Sequence, residues 1–317
     1  MENTMYKLIS NLSLIITFAT CHAGSSEINW VTGNDGSWFD SNNWVELEVP
    51  FDGVEVRFGV GDNDNSLDAV NIDNLSNGVN LPNSTLRLER KVTFSDEGAL
   101  GNPQQADDGM IFDVMAINGA GGIGVTFDVP VTADIMTSNR HGGVFNREIT
   151  VNSILAESRH QDKWQINAGA SKPISYVLID ENRDEDGGTV DGFFKINSDL
   201  IIDQLDFVWG SLQIGSEVDV VIDVLNVSVF SNQEENNNIS PIVIAANSTV
   251  FVSSLKLLDV ANNDVTFVSN GSYGSEDNTE TDFTTPLIVG EGVLVVCRLP
   301  IFVDGFEAEP AIEQCIN

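Results

Sequence analysis

Between residues 180 and 191 the chain reads Asp180-Glu181-Asn182-Arg183-Asp184-Glu185-Asp186-Gly187-Gly188, with Asp191 beyond. Counted from Asp180 as position 1, oxygen-bearing side chains fall at 3, 5 and 12 in Asn182, Asp184 and Asp191, with Asp186 between. A hard cation such as Ca²⁺ takes such a set, because several oxygens must converge on it from one turn at about 2.3–2.6 Å. Position 6 is Glu185 rather than the glycine that a sharp calcium loop asks for, and no helical pattern flanks the segment. The same composition suits a solvated acidic loop, and both readings stay open. A weaker copy runs from Asp62 through Asp64 to Asp68 and Asp73, with Leu67 at the glycine position.

Other chemistry is harder to find. His141 and His160 lie in no ligand or nucleophile motif, and no Gly-x-Ser-x-Gly, His-Glu-x-x-His or phosphate loop occurs. Gly119-Ala120-Gly121-Gly122-Ile123-Gly124 runs straight into Val125-Thr126-Phe127-Asp128-Val129, a strand pattern, so it reads as a turn and not as a dinucleotide loop. Carboxylates are so numerous that any pair chosen for glycoside cleavage is arbitrary. A polysaccharide lyase needs a cation site beside a base; Arg140, Arg147, Arg159 and Lys163 are available and nothing singles one out. No catalytic residue is therefore assigned.

The elements that must carry these residues are β-strands. Runs such as Val54-Glu55-Val56-Arg57-Phe58 and Thr85-Leu86-Arg87-Leu88-Glu89 alternate apolar and polar residues, and Gly, Asn, Asp and Ser separate them. The densest stretch places Leu200, Ile202, Leu205, Phe207, Leu212, Ile214, Val218, Val220, Ile222, Leu225, Val227 and Val229 on one side of successive strands. Short strands without hairpin dipeptides, in a chain long for one sandwich, predict an all-β fold: an irregular right-handed parallel β-helix, or solenoid, with an N-terminal cap. Asn-rich corners such as Asn262-Asn263-Asp264 suit its bends, since Asn tolerates the left-handed region. Tandem β-sandwiches are the alternative.

Both ends of the chain point outside the cytoplasm. Lys7 precedes an apolar run from Leu8 to Ala19, and Cys21-His22-Ala23 follows, the pattern of a secretory signal peptide cut after Ala23. The run is too short to span a bilayer, which needs roughly 20 residues, and no later stretch is long and apolar enough. Phe18-Ala19-Thr20-Cys21 is a poor imitation of a lipoprotein box. Two cysteines remain after cleavage, Cys297 and Cys315, and an even pair in an oxidising compartment reads as a disulfide. The whole chain has 48 acidic and 14 basic residues, for a net charge of −34. Such a surface repels phosphate backbones and anionic lipid and so excludes nucleic acid as a partner.

Residues 28–58 carry Trp30, Gly36-Ser37-Trp38, Asn43-Trp44, Val49-Pro50 and Asp52-Gly53 in order. This series resembles the N-terminal signature of secreted bacterial β-helix proteins of the autotransporter-passenger type. The resemblance implies a solenoid whose open end is capped by tryptophans; a carbohydrate-stacking platform is the competing reading of the same rings. No closing region resembles a membrane barrel. The tail Phe302-Val303-Asp304-Gly305-Phe306-Glu307 instead resembles one found near the ends of secreted Gram-negative proteins. The organisation expected is a signal peptide over 1–23, a cap over 24–58, a solenoid over 59–296 and a tail over 297–317. The function expected is a secreted or surface-associated structural or adhesive module, stabilised by Ca²⁺, with extracellular polysaccharide or cell-surface components as partners. A lyase or glycoside hydrolase on the same scaffold is the alternative.

Overall fold

The computed structural model of the chain describes residues 26–31, 35–59, 68–72, 78–96, 109–117, 124–138, 142–158, 163–181, 193–229, 242–259, 262–275 and 287–297. Its strands lie in two sheets, one of long and one of short strands, wound alternately by the chain. The long sheet begins with β1 (Glu27–Asn29), β3 (Glu55–Phe58), β5 (Val79–Leu88), β7 (Met110–Ile117), β9 (Val131–Ser138) and β11 (Ile149–Ser158). It continues through β13 (Ile174–Glu181), β15 (Leu200–Trp209), β17 (Asp219–Val229), β19 (Thr249–Asp259) and β23 (Val293–Val296). The short sheet runs β2 (Gly36–Ser37), β4 (Asp68–Asn71), β6 (Val92–Ser95), β8 (Val125–Phe127), β10 (Gly143–Phe145), β12 (Lys163–Ile166), β14 (Phe193–Ile196), β16 (Leu212–Ile214), β18 (Ile242–Ile244) and β22 (Ile288–Gly290). Pairing along both runs is parallel. This is a parallel β-solenoid, and not a pair of sandwiches.

A change of phase in the burial pattern shapes each coil. In β15 the buried residues are Leu200 and Ile202, then Leu205 and Phe207; in β17 they are Val220 and Ile222, then Leu225, Val227 and Val229. The three-residue step puts two neighbours outward in succession and turns the chain around its own core, as a bulge does. The ladder skips the first of those two at each coil, giving a column of corner residues that includes Asp113, Asp134, Asn152, Asp203 and Asp223. Each coil therefore has three straight segments, two from the long strand and one from the short.

The inward column of the short sheet is aromatic. Phe94, Phe127 and Phe145 occupy equivalent places in successive coils. Phe94–Phe127 and Phe127–Phe145 stack at 5.3 and 4.9 Å between centroids, and Trp164 and Phe194 continue the row at 5.7 and 6.0 Å. For the three phenylalanines the spacing follows from the strand separation of about 4.8 Å, which sets ladder partners one above the other; Trp164 stands two residues before Ile166, the ladder partner of Phe145, and Phe194 pairs with Trp164. The Trp164 indole N–H, buried with its ring, donates to Ser138 Oγ at 3.0 Å. Outside this row an amide ladder spans the turn that follows the short sheet. Asn146 Nδ2 donates to Asp128 Oδ1 (2.6 Å), Asn167 Nδ2 to Asn146 Oδ1 (2.6 Å) and Asn197 Nδ2 to Asn167 Oδ1 (2.7 Å). It stops at Gly215, where a Cβ would lie 2.5 Å from Asn197 Oδ1.

Trp30, Trp38 and Trp44 are 1 %, 1 % and 0 % exposed. Trp30 stacks on Phe58 at 5.3 Å and meets Trp44 edge-on at 4.9 Å, while Trp44 Nε1 donates to the Trp38 carbonyl at 2.8 Å. No ring face is open for a sugar. These residues belong to the first coil, since β1 and β2 already pair in parallel with β3 and β4. Asn263 does adopt the left-handed region (φ 54°), but in an antiparallel hairpin joining β19 to β20 (Asp264–Phe267), not at a coil corner. A second antiparallel strand, β21 (Gly271–Tyr273), borders β23.

Truncating the middle of the aromatic row opens a cavity in an interior with no other contact to offer. Phe145→Ala is expected to cost about 3–5 kcal/mol in urea unfolding, and Val144→Ala, on the outer face, within about 1 kcal/mol of zero.

Candidate functional site

From Met110 to Asp259, the segments outside the described residues (118–123, 139–141, 159–162, 182–192 and 230–241) each join a long-sheet strand to the next short-sheet strand. The strand ends that flank them line up along one corner of the solenoid. Glu157 and Asp180 stand on the outer face beside that corner, directly paired on β11 and β13. A register shift after Ile179 sets Asp180 opposite Trp209. Asp180 is half-buried, and burial raises its pKa. Glu157 is more open as a residue, yet burial of its carboxyl, and then the charge of Asp180, raise its pKa too. Two acids on adjacent strands about 4.8 Å apart cannot both ionise without repulsion.

Four positions before Asp180 on β13, Tyr176 points outward between Ser153 and Gln204. Its hydroxyl donates to Asp206 Oδ2 at 2.8 Å, and Gln204 Nε2 and Asn226 Nδ2 donate to Asp206 Oδ1 at 3.0 and 2.7 Å. Burial first, then the charge and hydrogen bond of Asp206, push the Tyr176 pKa far above its ordinary value. The phenol stays a hydrogen-bond donor at every physiological pH. The face thus presents two carboxyls of raised pKa, a third carboxyl held by three donors, an aromatic edge and two amides. Such a set can hydrogen-bond a polyhydroxylated ligand or move a proton.

Of the oxygens expected to hold a cation, Asp180 lies at this face, whereas Asn182, Asp184, Asp186 and Asp191 fall outside the described residues. Ala23 and Cys315 fall outside them as well, and Cys297 is buried after β23, its N–H on the Val252 carbonyl at 2.8 Å. Asp68, expected among the oxygens of the weaker loop, occupies an inward position of β4, fully buried with its Oδ2 3.1 Å from Arg90 Nε. Pairing with a buried guanidinium makes it part of the core and not a cation ligand. Of the four bases considered, Arg147 stands on the turn before β11, a strand's length from Glu157, and Lys163 begins β12. Further basic groups serve an outer ladder: Arg57 bridges Glu27 and Glu89 at 3.1 and 3.0 Å, and Arg87 meets Glu55 at 3.5 Å.

Sequence reasoning reached Asp180 but missed Glu157, Tyr176 and Asp206. Tyr176 and Asp206 stand 30 residues apart, Asp206 and Asn226 only 20, and unequal coils hide the register that joins them. No protein-family model, curated protein or solved structure matches the chain.

Folding raises the Glu157 pKa, so the folded chain binds this proton more tightly than the unfolded one. The stability linked to it is complete below the ordinary value of 4.5 and is lost as pH rises through the folded value. Glu157→Gln cannot ionise. It is expected to leave the melting temperature unchanged near about pH 4 and to raise it at about pH 7, read by circular dichroism melts across that range.

Proposed function

We propose that this chain is an exported structural and adhesive β-solenoid module, acting at the cell surface or after secretion. The observation that carries this reading is the outer face of the long sheet, where Tyr176, Gln204, Asp206 and Asn226 form one hydrogen-bonded array across three coils. The array is rigid because each member sits on a strand whose inner side is locked in the core. Polar groups repeating at about 4.8 Å suit an extended polymer better than a compact ligand. A net charge of −34 disfavours polyanionic glycans and leaves uncharged polysaccharide as the partner class. The apolar run from Leu8 to Ala19, with the cleavage pattern that ends at Ala23, supports export, and the order of tryptophans supports kinship with secreted β-helix proteins.

One observation favours a second reading, catalysis on the same face: Glu157 and Asp180 hold their protons more tightly than ordinary carboxyls. A glycan array followed by a product assay on the hits separates the two. The module is expected to bind uncharged polysaccharide without turnover, and Asp206→Ala to weaken binding about tenfold, the loss of one charged hydrogen-bond hub. Release of reducing ends or unsaturated sugars, abolished by Glu157→Gln, would establish the enzyme instead.

Calcium belongs to the same proposal, held by Asp180 with Asn182, Asp184, Asp186 and Asp191. Pairing of Cys297 with Cys315 would add about 3 kcal/mol by closing a short loop. Calcium at a hundredfold excess over its dissociation constant is expected to stabilise the chain by about 2.7 kcal/mol. Asp184→Ala should remove that gain with little change in the chelated protein, where it relieves repulsion. Thermal melts with chelator and with calcium check this, and equal shifts in both proteins would return the loop to solvated surface.

A further inference from the structure

Two aromatic rings among the described residues are exposed, Phe51 (48 %) and Phe267 (55 %). Phe51 lies on the connection that leads into β3, whereas Phe267 stands on a strand, where register fixes its place. β20 runs antiparallel to β19 and sets Phe267 opposite Lys256 and Val265 opposite Leu258. Leu255 and Leu257 are buried in the core, so Lys256 and Leu258, which alternate with them, face outward. Directly opposed residues share a face. Phe267 and Val265 therefore lie on the outer face of the long sheet.

That is the face of the Tyr176 array. Asp206 pairs with Asn226, Asn226 with Lys256, and Lys256 with Phe267, so carboxyl, amide, ammonium and aromatic ring form one row across β15, β17, β19 and β20. Tyr176, one strand further back on β13, joins the row through its hydrogen bond to Asp206. Four strand spacings of about 4.8 Å separate β13 from β20, so the row spans about 19 Å. Lys256 Nζ lies over the Phe267 ring, 5.9 Å from its centroid, which keeps a hydrogen-bond donor beside the aromatic surface. Leu258 and Val265 widen this apolar end, and Asp259 and Asp264, opposite each other at the close of the ladder, border it with acids.

Sugars are amphipathic in the way this row is. Hydroxyls at the edge of a pyranose take hydrogen bonds, while its ring C–H groups form apolar faces that lie flat on an aromatic ring. A pyranose with equatorial hydroxyls and equatorial linkages polymerises into an extended ribbon. An axial linkage instead coils the chain away from a straight row. The bordering acids disfavour a sugar carboxylate or sulfate at the apolar end.

We infer that Phe267 is a stacking subsite for an uncharged, equatorially linked, ribbon-shaped polysaccharide that lies along the solenoid axis from Tyr176 to Phe267. The inference rests on the proposed polysaccharide-binding role of the Tyr176 array and adds the ring that selects the polymer's shape.

Calorimetric titration of the full chain with cellohexaose, a ribbon, and with maltohexaose, its axially linked counterpart, tests this. Cellohexaose should bind about tenfold tighter, and Phe267→Ala should remove that advantage, the loss of one stacking contact. Phe267→Trp should keep the wild-type affinity, and its added indole emission should shift when cellohexaose binds, which a merely structural role would not produce. Circular dichroism melts check that both variants fold. Cellohexaose binding that Asp206→Ala weakens and Phe267→Ala does not, or maltohexaose bound as tightly as cellohexaose, overturns the stacking subsite and leaves the role of the array standing. So does a wild type that binds other uncharged polysaccharides but not cellohexaose. A wild type that binds no uncharged polysaccharide overturns the role of the array and this inference with it.

Discussion

In a parallel solenoid each residue is stacked against its counterpart one coil away, so the ladder brings together whatever occupies equivalent positions. Where those positions are apolar the rule is a gain: Phe94, Phe127 and Phe145 lie in one column and their rings stack. Where they are amides it is also a gain, because Asn both donates and accepts, and Asn146, Asn167 and Asn197 pass one hydrogen bond along the turn. Where they are acids it is a cost. Asp203 and Asp223 are such a pair: burial, and then the neighbouring charge, raise the Asp203 pKa, and Glu157 with Asp180 repeats the arrangement. A chain with so many acids must therefore choose their columns. The long-sheet face of the first coils interleaves Arg57 and Arg87 with Glu27, Glu55 and Glu89, and Asp68 is sealed beside Arg90.

The sequence carried the strand pattern in detail. The spacing of Leu200, Ile202, Leu205 and Phe207, repeated at Val220, Ile222, Leu225 and Val227, already contains the three-residue step that bends each long strand. Its meaning was not legible, because a corner and a turn leave the same mark on an alternating pattern. The tryptophans were legible as an end of the core, although they belong to its first coil. The amide ladder was hidden, since 18, 21 and 30 residues separate its successive members. The outer cluster was hidden for the same reason: what lies beside Tyr176 depends on the length of segments with no pattern of their own. Asp68 misled in a different way. Its neighbours Asp62 and Asp64 suggest a ligand loop, and only the strand alternation of β4 turns its carboxyl inward.

Rigidity and chemistry occupy different sides of the same strands. The inner residues of β13, β15 and β17 are fully or nearly fully buried, which fixes the backbone beneath Tyr176, Asp206 and Asn226. Their outer partners hold one another, so a ligand would meet groups already aligned and lose little freedom in binding them. The raised pKa values of Glu157 and Asp180 arise first from burial of their carboxyls, with the charge of Asp180 a second cause at Glu157.

Between Met110 and Asp259 the irregular lengths all fall between a long strand and the next short one, which makes this part of the solenoid tolerant in a selective way. A segment inserted between a long strand and the following short one lengthens a coil while every inward residue keeps its partner above and below. One residue added within a long strand would instead turn half of that strand's side chains inside out. Descendants of such a chain can therefore diverge in the sequence that joins β17, ending at Val229, to β18, starting at Ile242, without relearning how to fold.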